Sequence, residues 1–462
     1  LPIAENWEPL PYMERAVQHL LENAHAGLFL KPGMRKTSIT LAAYDILRDI
    51  KMVGGLLVIA PLRVIHTSWP REVKKWKEFE HLSVGILHGP KKDKVLAEKH
   101  DVYLINYEGL EWLFGALGAK RWPFDMLVVD ESTKLKNISS KRFKLLKPHL
   151  KKFKRRVILT GTPMANHLID IFGQIYVMDM GQTFGAYITH WRNRFFYPTG
   201  FGGFTWAPKE GTEEAIQEMT APTCFYAHDD DWLKLPPILE KDIEIELPPK
   251  AMAAYLQMED TLRLDFKEGR INASNAAVAT GKCRQIANGG VFIDASENKW
   301  QQIHDAKTEA VVDLIEELSG APALVVYEYR HDLERLQKAL GKDTPFIGRG
   351  GVKPAKMPEL INEWNRGRIP YIIVNAQSMA HGVDGLQEAG RAVIWHSLTY
   401  NYDDYFQLIR RLQRSGQRER VLVAHIIAKG TVDRAVLGMV RAKGKTQRNF
   451  FDALRRYWNT ES

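Results

Sequence analysis

The stretch Met126-Leu-Val-Val-Asp130-Glu131-Ser-Thr-Lys-Leu-Lys-Asn137 decides the fold. Four apolar residues ending abruptly in two adjacent carboxylates read as a buried strand with a charged end. At the carboxyl end of a parallel strand, one carboxylate can hold a magnesium ion while its neighbour orients or deprotonates a water. An Asp-Glu pair alone is as readily a solvated turn, so the flanking sequence has to arbitrate. Upstream, Leu28-Phe-Leu-Lys-Pro-Gly33-Met-Arg-Lys36-Thr37 reads as a second strand feeding a phosphate-binding loop. Downstream, Arg156-Val-Ile-Leu-Thr160-Gly-Thr-Pro163 reads as a third strand ending in hydroxyls. The three together, in this order, favour the catalytic reading.

Working outward, the loop is followed by a helix over Ser38 to Ile50, with apolar residues at helical spacing. Backbone N–H groups of such a loop and helix start face phosphate oxygens. Lys36 would reach the β- and γ-phosphates, and the Thr37 hydroxyl would ligate magnesium. Arg35 occupies the place before the lysine where phosphate loops usually carry glycine. Further apolar runs at Leu56–Ala60, Asp101–Asn106, Ala323–Tyr327, Tyr371–Asn375, Ala392–Trp395 and Val421–Ile427 alternate with helical stretches. That alternation predicts an α/β protein with mostly parallel sheets and right-handed crossovers.

A chain of 462 residues suggests two domains. Prolines around an alternating strand mark a junction between Pro236 and Lys250. The expected division is 1–240, with an aromatic and glycine-rich insertion at about 180–235, and 241–462, ending in a helical brace. The second half carries no further phosphate loop. Lys and Arg exceed Asp and Glu by 64 − 55 = 9, a moderately basic balance that favours a polyanionic partner. Between Lys134 and Arg156 no acidic residue occurs, which fits either phosphate-backbone binding or a solvated face. Two distant cysteines, Cys224 and Cys283, argue against a disulfide scaffold. No apolar stretch reaches membrane-spanning length, and the first residues do not form a signal peptide. In Gln407-Leu-Ile-Arg410-Arg411-Leu-Gln-Arg414-Ser-Gly416-Gln417, helical spacing would put Gln407, Arg411 and Arg414 on one face, with Gly416 past the helix end. Arginines so presented can neutralise charge on a transferring phosphoryl group.

Taken together these stretches resemble the Swi/Snf-type ATPases of helicase superfamily two, over about Pro11 to Leu437, in a compact, phage-like form. The resemblance rests on Gly33–Thr37, Leu57–Pro61, Asp130–Asn137, Leu159–Pro163, Ala380-His-Gly382-Val-Asp384-Gly-Leu-Gln387 and Gln407–Gln417, with Ala273–Gly290 opening the second lobe. It implies two RecA-like lobes around an ATP cleft, ATP and Mg2+ as ligands, and DNA-dependent ATP hydrolysis with translocation along the duplex. By resemblance the catalytic residues are Lys36, Asp130, Glu131, Arg411 and Arg414, with Thr37 and Asp130 on the metal. Met13, Gly33, Met34, Arg35, Lys36, Thr37, Gly382, Asp384 and Gln407 are expected at the nucleotide. Pro61, Asn106, Tyr107, Lys134, Lys136, Thr160, Thr162 and His381 are expected at DNA. The chain departs from the family pattern at Met13 (usually Gln), Arg35 (usually Gly), Thr133 (usually His), Ala165 (often Gln) and Arg410 (often Gly). Expected partners are ATP, double-stranded or branched DNA and a targeting protein, without a membrane, for a monomeric chain. The expected compartment is the cytoplasm of a bacterial or phage-infected cell, or the nucleus in a eukaryote. Two other readings stand beside this one: a catalytically silent nucleic-acid-binding module, and an RNA-directed or strand-separating helicase.

Overall fold

The computed structural model describes residues 4–118, 122–164, 166–199, 205–227, 235–266, 269–272, 276–294, 299–353, 356–379 and 383–460. The chain divides into two compact units, Leu1–Lys234 with Lys443–Ser462, and Leu235–Ala442. The expected division left residues 443–462 with the second lobe, whereas they group with the first. One unbroken helix, Asp433–Thr460, carries the chain there. Its Arg441 is paired with Asp242, and further on Gln447 accepts a bond from the Met164 N–H.

The first unit is built on strands β1 (His25–Phe29), β2 (Leu56–Ala60), β3 (Val84–Ile86), β4 (Val102–Asn106), β5 (Met126–Asp130) and β6 (Arg155–Thr160). A hairpin, β7 (Phe196–Thr199) and β8 (Thr205–Pro208), and the short β9 (Cys224–Tyr226) follow. The main sheet runs β3-β4-β2-β5-β6-β1-β9, and every pairing in it is parallel. Alternate residues face opposite layers. Leu57, Ile59, Leu127, Val129 and Ile158 enter one core, and Leu56, Val58, Met126, Val128 and Leu159 the other. Both faces are therefore covered by helices, which is why these strands read as continuous apolar runs rather than alternating ones. Each such side chain, fully buried, contributes roughly 1.5–3 kcal/mol.

The second unit holds β10 (Leu239–Ile245), the hairpins β11 (Arg263–Phe266) with β12 (Gly269–Asn272) and β13 (Gly290–Asp294) with β14 (Lys299–Gln302), then β15 (Ala323–Tyr327), β16 (Phe346–Ile347), β17 (Tyr371–Asn375), β18 (Ala392–Trp395) and β19 (Leu422–Ala428). Its sheet is β10-β19-β18-β15-β17-β16, again parallel throughout. The expected α/β class with two parallel sheets flanked by helices is what the chain forms. Among the described residues no helix is long and apolar enough to cross a membrane.

Candidate nucleotide and nucleic-acid site

In the first unit the functional groups gather at the carboxyl ends of β1, β2, β5 and β6. Beyond β1 the chain makes a loop and then starts a 14-residue helix, Lys36–Asp49. Its first N–H groups lack intrahelical acceptors and form an anion-binding end. Gly33 sits at φ 88° and Arg35 at φ 50°. Arg35 therefore adopts the left-handed conformation that a glycine enters freely and an L residue pays for with about 1–2 kcal/mol. Its guanidinium lies 5.4 Å from the centroid of the Trp76 ring, a cation–π contact that offsets part of that strain. The loop keeps a glycine-like backbone without the glycine. Lys36 Nζ donates to the carbonyls of Leu30 (2.7 Å) and Lys31 (3.4 Å), which folds its charge over the loop. Thr37 is partly exposed at the helix start.

β5 ends at Asp130, whose Oδ2 accepts a 2.9 Å hydrogen bond from Trp69 Nε1. Burial raises the pKa of this carboxyl, and the Trp69 N–H and the charge of Lys36 oppose the rise. The Lys36 ammonium is thus close enough to act electrostatically on Asp130. The Tyr107 hydroxyl donates to the carbonyls of Asp130 (2.7 Å) and Glu131 (3.1 Å). Burial drives this phenol's pKa well up, so it stays a donor. Glu131 itself stands at φ 57°, ψ 56°, a left-handed backbone at a carboxylate that the chemistry needs. Behind it, Ser132 Oγ donates to Gln174 Oε1 at 2.8 Å, while Gln174 Nε2 donates to Pro163 O at 2.6 Å. One side chain thereby ties the loop after β5 to the loop after β6. Gly173 makes this approach feasible: a Cβ there would lie 2.5 Å from the Leu135 carbonyl oxygen. Thr160 and Thr162 are fully buried, and Thr160 Oγ1 accepts from the Thr162 N–H at 3.1 Å.

The structure places several of the expected residues in the interior. Met13, expected at the adenine, is fully buried, and its sulfur accepts from the Leu10 N–H at 3.5 Å. Met34 is likewise fully buried, so only its backbone can serve the loop. Tyr107 and Asn106, expected at DNA, are turned inward: Tyr107 supports the acid pair, and Asn106 donates to Glu108 at 2.9 Å. Thr160 and Thr162, also expected at DNA, are fully buried. Pro61 and Lys134 are partly exposed, and Lys136 pairs with Asp170 at 3.0 Å. The cationic run from 134 to 156 is largely consumed by the fold. Arg155 donates to the carbonyls of Leu20, Leu21 and Asn23, and Arg156 to those of Leu150, Phe153 and Met178. Lys141 and Lys154 pair with Glu111 and Asp125, and Lys147 and Lys152 lie over Tyr176 and Trp122. Sequence reasoning missed Trp69, Gln174 and the supporting role of Tyr107. No local signal marks them, since each partner lies tens of residues away in the chain.

In the second unit the helix Tyr402–Ile409 stops before the arginines. Arg411 and Arg414 therefore stand on the turns that follow, not on one helical face with Gln407. Gln417 Nε2 donates to the carbonyls of Gln387 and Gly390 and to that of Leu412, and only the last is an acceptor that a longer helix would have used. Gly416, at φ 97°, belongs to this turn rather than to a helix end. The two guanidinium groups still converge. Arg411 Nη1 donates to Asp384 Oδ1 at 3.1 Å, and Arg414 bonds the same oxygen. Asp384, expected at the nucleotide, is the acceptor that gathers these arginines. The Gln407 side chain is buried, with both amide atoms lacking a hydrogen-bond partner among the described residues. Gly382, His381 and Ala165 lie outside the described residues, as do Phe201 and Phe204 of the aromatic insertion. Trp191, Phe195 and Phe196 of that insertion are core residues.

The donor set fits a magnesium triphosphate. Anion-seeking N–H groups and Lys36 stand at one strand end, and a hydroxyl and a carboxylate, hard oxygen ligands suited to magnesium, stand with them. A parallel sheet with this loop and an acid pair at its strand ends, Asp130 buried and Glu131 half-buried, is the arrangement of a helicase-like, ATP-binding hydrolase. The SNF2-related domain matches residues 12–292, and the chain belongs to that family. Putative protein p41 of Acyrthosiphon pisum secondary endosymbiont phage 1 is 33% identical, covering 98% of this chain and 100% of that protein. DNA repair and recombination protein RDH54 of Saccharomyces cerevisiae is 23% identical over 86% of this chain and 46% of its own length. CHD3-type chromatin-remodeling factor CHR7 of Arabidopsis thaliana is 22% identical over 84% of this chain and 32% of its own. The chain thus spans less than half the length of these last two. Among solved structures, the Sulfolobus solfataricus SWI2/SNF2 ATPase core in complex with dsDNA aligns with a TM-score of 0.46 and 20% identity, over 98% of this chain and 94% of that one.

Proposed function

We propose that this chain is a DNA-stimulated ATPase that moves along double-stranded DNA and remodels DNA or protein–DNA complexes. The observation that carries the reading is the buried Asp130, held by Trp69 within electrostatic reach of Lys36, with Glu131 next to it. Family membership supports the same reading. Lys36 and the first N–H groups of its helix bind the phosphates. Thr37 and Asp130 would hold magnesium, which supplies positive charge against the phosphate oxygens. Glu131 orients the attacking water and accepts its proton, and its fixed left-handed backbone aims the carboxylate. Arg411 and Arg414 neutralise charge on the transferred phosphoryl group, a role in which their bonds to Asp384 must yield. Through Gln174, movement at the acid pair reaches the loop that carries Thr160 and Thr162.

Grip on a phosphate backbone carries little sequence information, so the motor would show weak sequence preference and strong salt dependence. Its natural task is proposed to be protein displacement, branch migration or strand reannealing, with targeting by a partner protein, in the cytoplasm of a phage-infected cell. The similarity to a phage protein and to a repair and recombination protein supports this range. The test is ATP turnover by the full chain, titrated with duplex DNA, single-stranded DNA and RNA, beside displacement of a triplex-forming strand. Strongest stimulation by duplex, with strand displacement that needs ATP, is expected. Preference for RNA, or no turnover with any nucleic acid, would overturn the reading.

A further inference from the structure

Of the four strands that end the two main sheets, β3 and β9 hold three residues each and β16 two, whereas β10 holds seven. Among the described residues it is the main-sheet edge long enough to template another strand. Its pairing with β19 shows which main-chain groups are left over. The Leu239 N–H donates to the Val421 carbonyl and the Lys429 N–H to the Ile245 carbonyl, both at 2.9 Å. In a parallel pair, alternate residues turn both main-chain groups to the same neighbour. Leu239, Lys241, Ile243 and Ile245 therefore face β19. Glu240, Asp242 and Glu244 present their N–H and carbonyl groups outward, and all three residues are exposed. Among the described residues no hydrogen bond occupies those outward groups.

The two faces beside this edge differ. On one, Glu240 and Asp242 pair with Arg441, and Glu244 pairs with Arg434, both arginines coming from the helix that starts at Asp433. Three carboxylates against two guanidinium groups leave this face locally negative, on a chain of net charge +9. On the other face, Ile243 and Ile245 are half-buried against the core, and Leu239 is 46% exposed, with Lys241 between them. That apolar strip stops at the sheet edge.

We propose that β10 docks an extended segment of a partner protein as a further strand of this sheet. The segment carries Lys or Arg at the positions beside the carboxylates and apolar residues at the alternate positions. Main-chain bonds supply affinity, and the alternating faces supply selectivity. A second copy of this chain does not suit the edge. A twofold-related β10 would run antiparallel, with outward-facing residues opposite outward-facing residues in any register, which sets carboxylate against carboxylate. The charges that bar self-pairing are the ones a basic strand satisfies. None of these residues is assigned to ATP or duplex DNA above, so the inference does not depend on the proposed ATPase.

The experiment is anisotropy of a short labelled peptide of alternating valine and lysine, titrated with the full chain, beside the same peptide N-methylated at every lysine or at every valine. Saturable binding of the parent peptide is expected. In an added strand only one alternate set of residues points its N–H groups at β10. One methylated peptide should therefore bind as the parent does, and the other more weakly by roughly ten-fold or more. Equal binding of the two methylated peptides, or no binding of the parent, would overturn the proposal. On the protein side, Glu240→Pro deletes one outward N–H without touching the ladder to β19, and Glu240→Gln removes the charge but keeps the N–H. Proline should weaken binding about 3–10-fold beyond glutamine. Thermal melting checks that both variants fold. Equal affinities of the two folded variants would also overturn the proposal, and if Glu240→Pro does not fold, the methylated peptides decide alone.

Discussion

Replacing Trp69 by Phe isolates what the indole N–H does for the acid pair. Trp69 is fully buried, and its Nε1 lies 2.9 Å from Asp130 Oδ2. Burial raises the pKa of Asp130, and the Trp69 hydrogen bond is the largest of the influences that lower it. A bond from a neutral donor to a carboxylate is worth about 1.5–3 kcal/mol in a buried setting. Its loss therefore disfavours the ionised form of Asp130 and raises its pKa further. The ionised carboxylate is the form that can hold magnesium, so the acidic limb of the ATPase pH profile should move to higher pH. At fixed pH on that limb, more magnesium should be needed for half-maximal rate, since proton and metal compete. Loss of indole volume should also lower stability by about 1–3 kcal/mol, read separately as a melting shift. An unchanged acidic limb, in a variant that folds and turns over, would refute the assignment of Trp69 as the group that keeps Asp130 ionised.

Because Arg35 stands at φ 50°, Arg35→Ala should melt below Arg35→Gly by about 1 kcal/mol, both variants having lost the Trp76 contact alike. Equal melting would deny the strain. Tyr107→Phe removes bonds to the carbonyls of both Asp130 and Glu131 and should slow turnover by about ten-fold or more, with unchanged nucleotide affinity. Asp384→Ala leaves Arg411 and Arg414 without their shared carboxylate and should destabilise the chain by about 2–3 kcal/mol in chemical denaturation. His304 should confer acid sensitivity: its Nε2 meets the Ile286 carbonyl at 2.9 Å and its Nδ1 meets the Ala306 N–H at 3.2 Å, an arrangement that suits the neutral ring. Burial lowers its pKa from 6.5 to about 4. A depressed histidine contributes stability that is present above the unfolded pKa and is lost as pH falls from about 6.5 towards about 4. His304→Gln should flatten that part of the stability profile, by at most about 3 kcal/mol.

Much of this architecture was legible because buried parallel strands leave long apolar runs. β2, β5, β15, β17 and β18 coincide with runs seen in the sequence. Strands of two or three residues, β3, β9 and β16, carry no such signal, and the hairpins are defined by pairing that composition does not display. At the site, local spacing reveals the loop through Gly33, Lys36 and Thr37 and the acid pair through its place at a strand end. It does not reveal Trp69 or Gln174, whose partners are brought near only by folding. Charge runs misled for a related reason. Arg155 and Arg156 look like surface cations in sequence but serve as internal donors to backbone carbonyls. The arginines after Gln407 were placed on a helix by periodicity, yet the side chain of Gln417 closes the backbone there in a turn.

The most direct measurement is steady-state ATP hydrolysis by the full chain and by Glu131→Gln, each with and without duplex DNA. Duplex-stimulated turnover should fall by about 10²–10⁴-fold in the variant, with nucleotide and duplex binding retained. Turnover in Glu131→Gln equal to that of the unaltered chain, or no turnover in either with duplex present, would contradict the account.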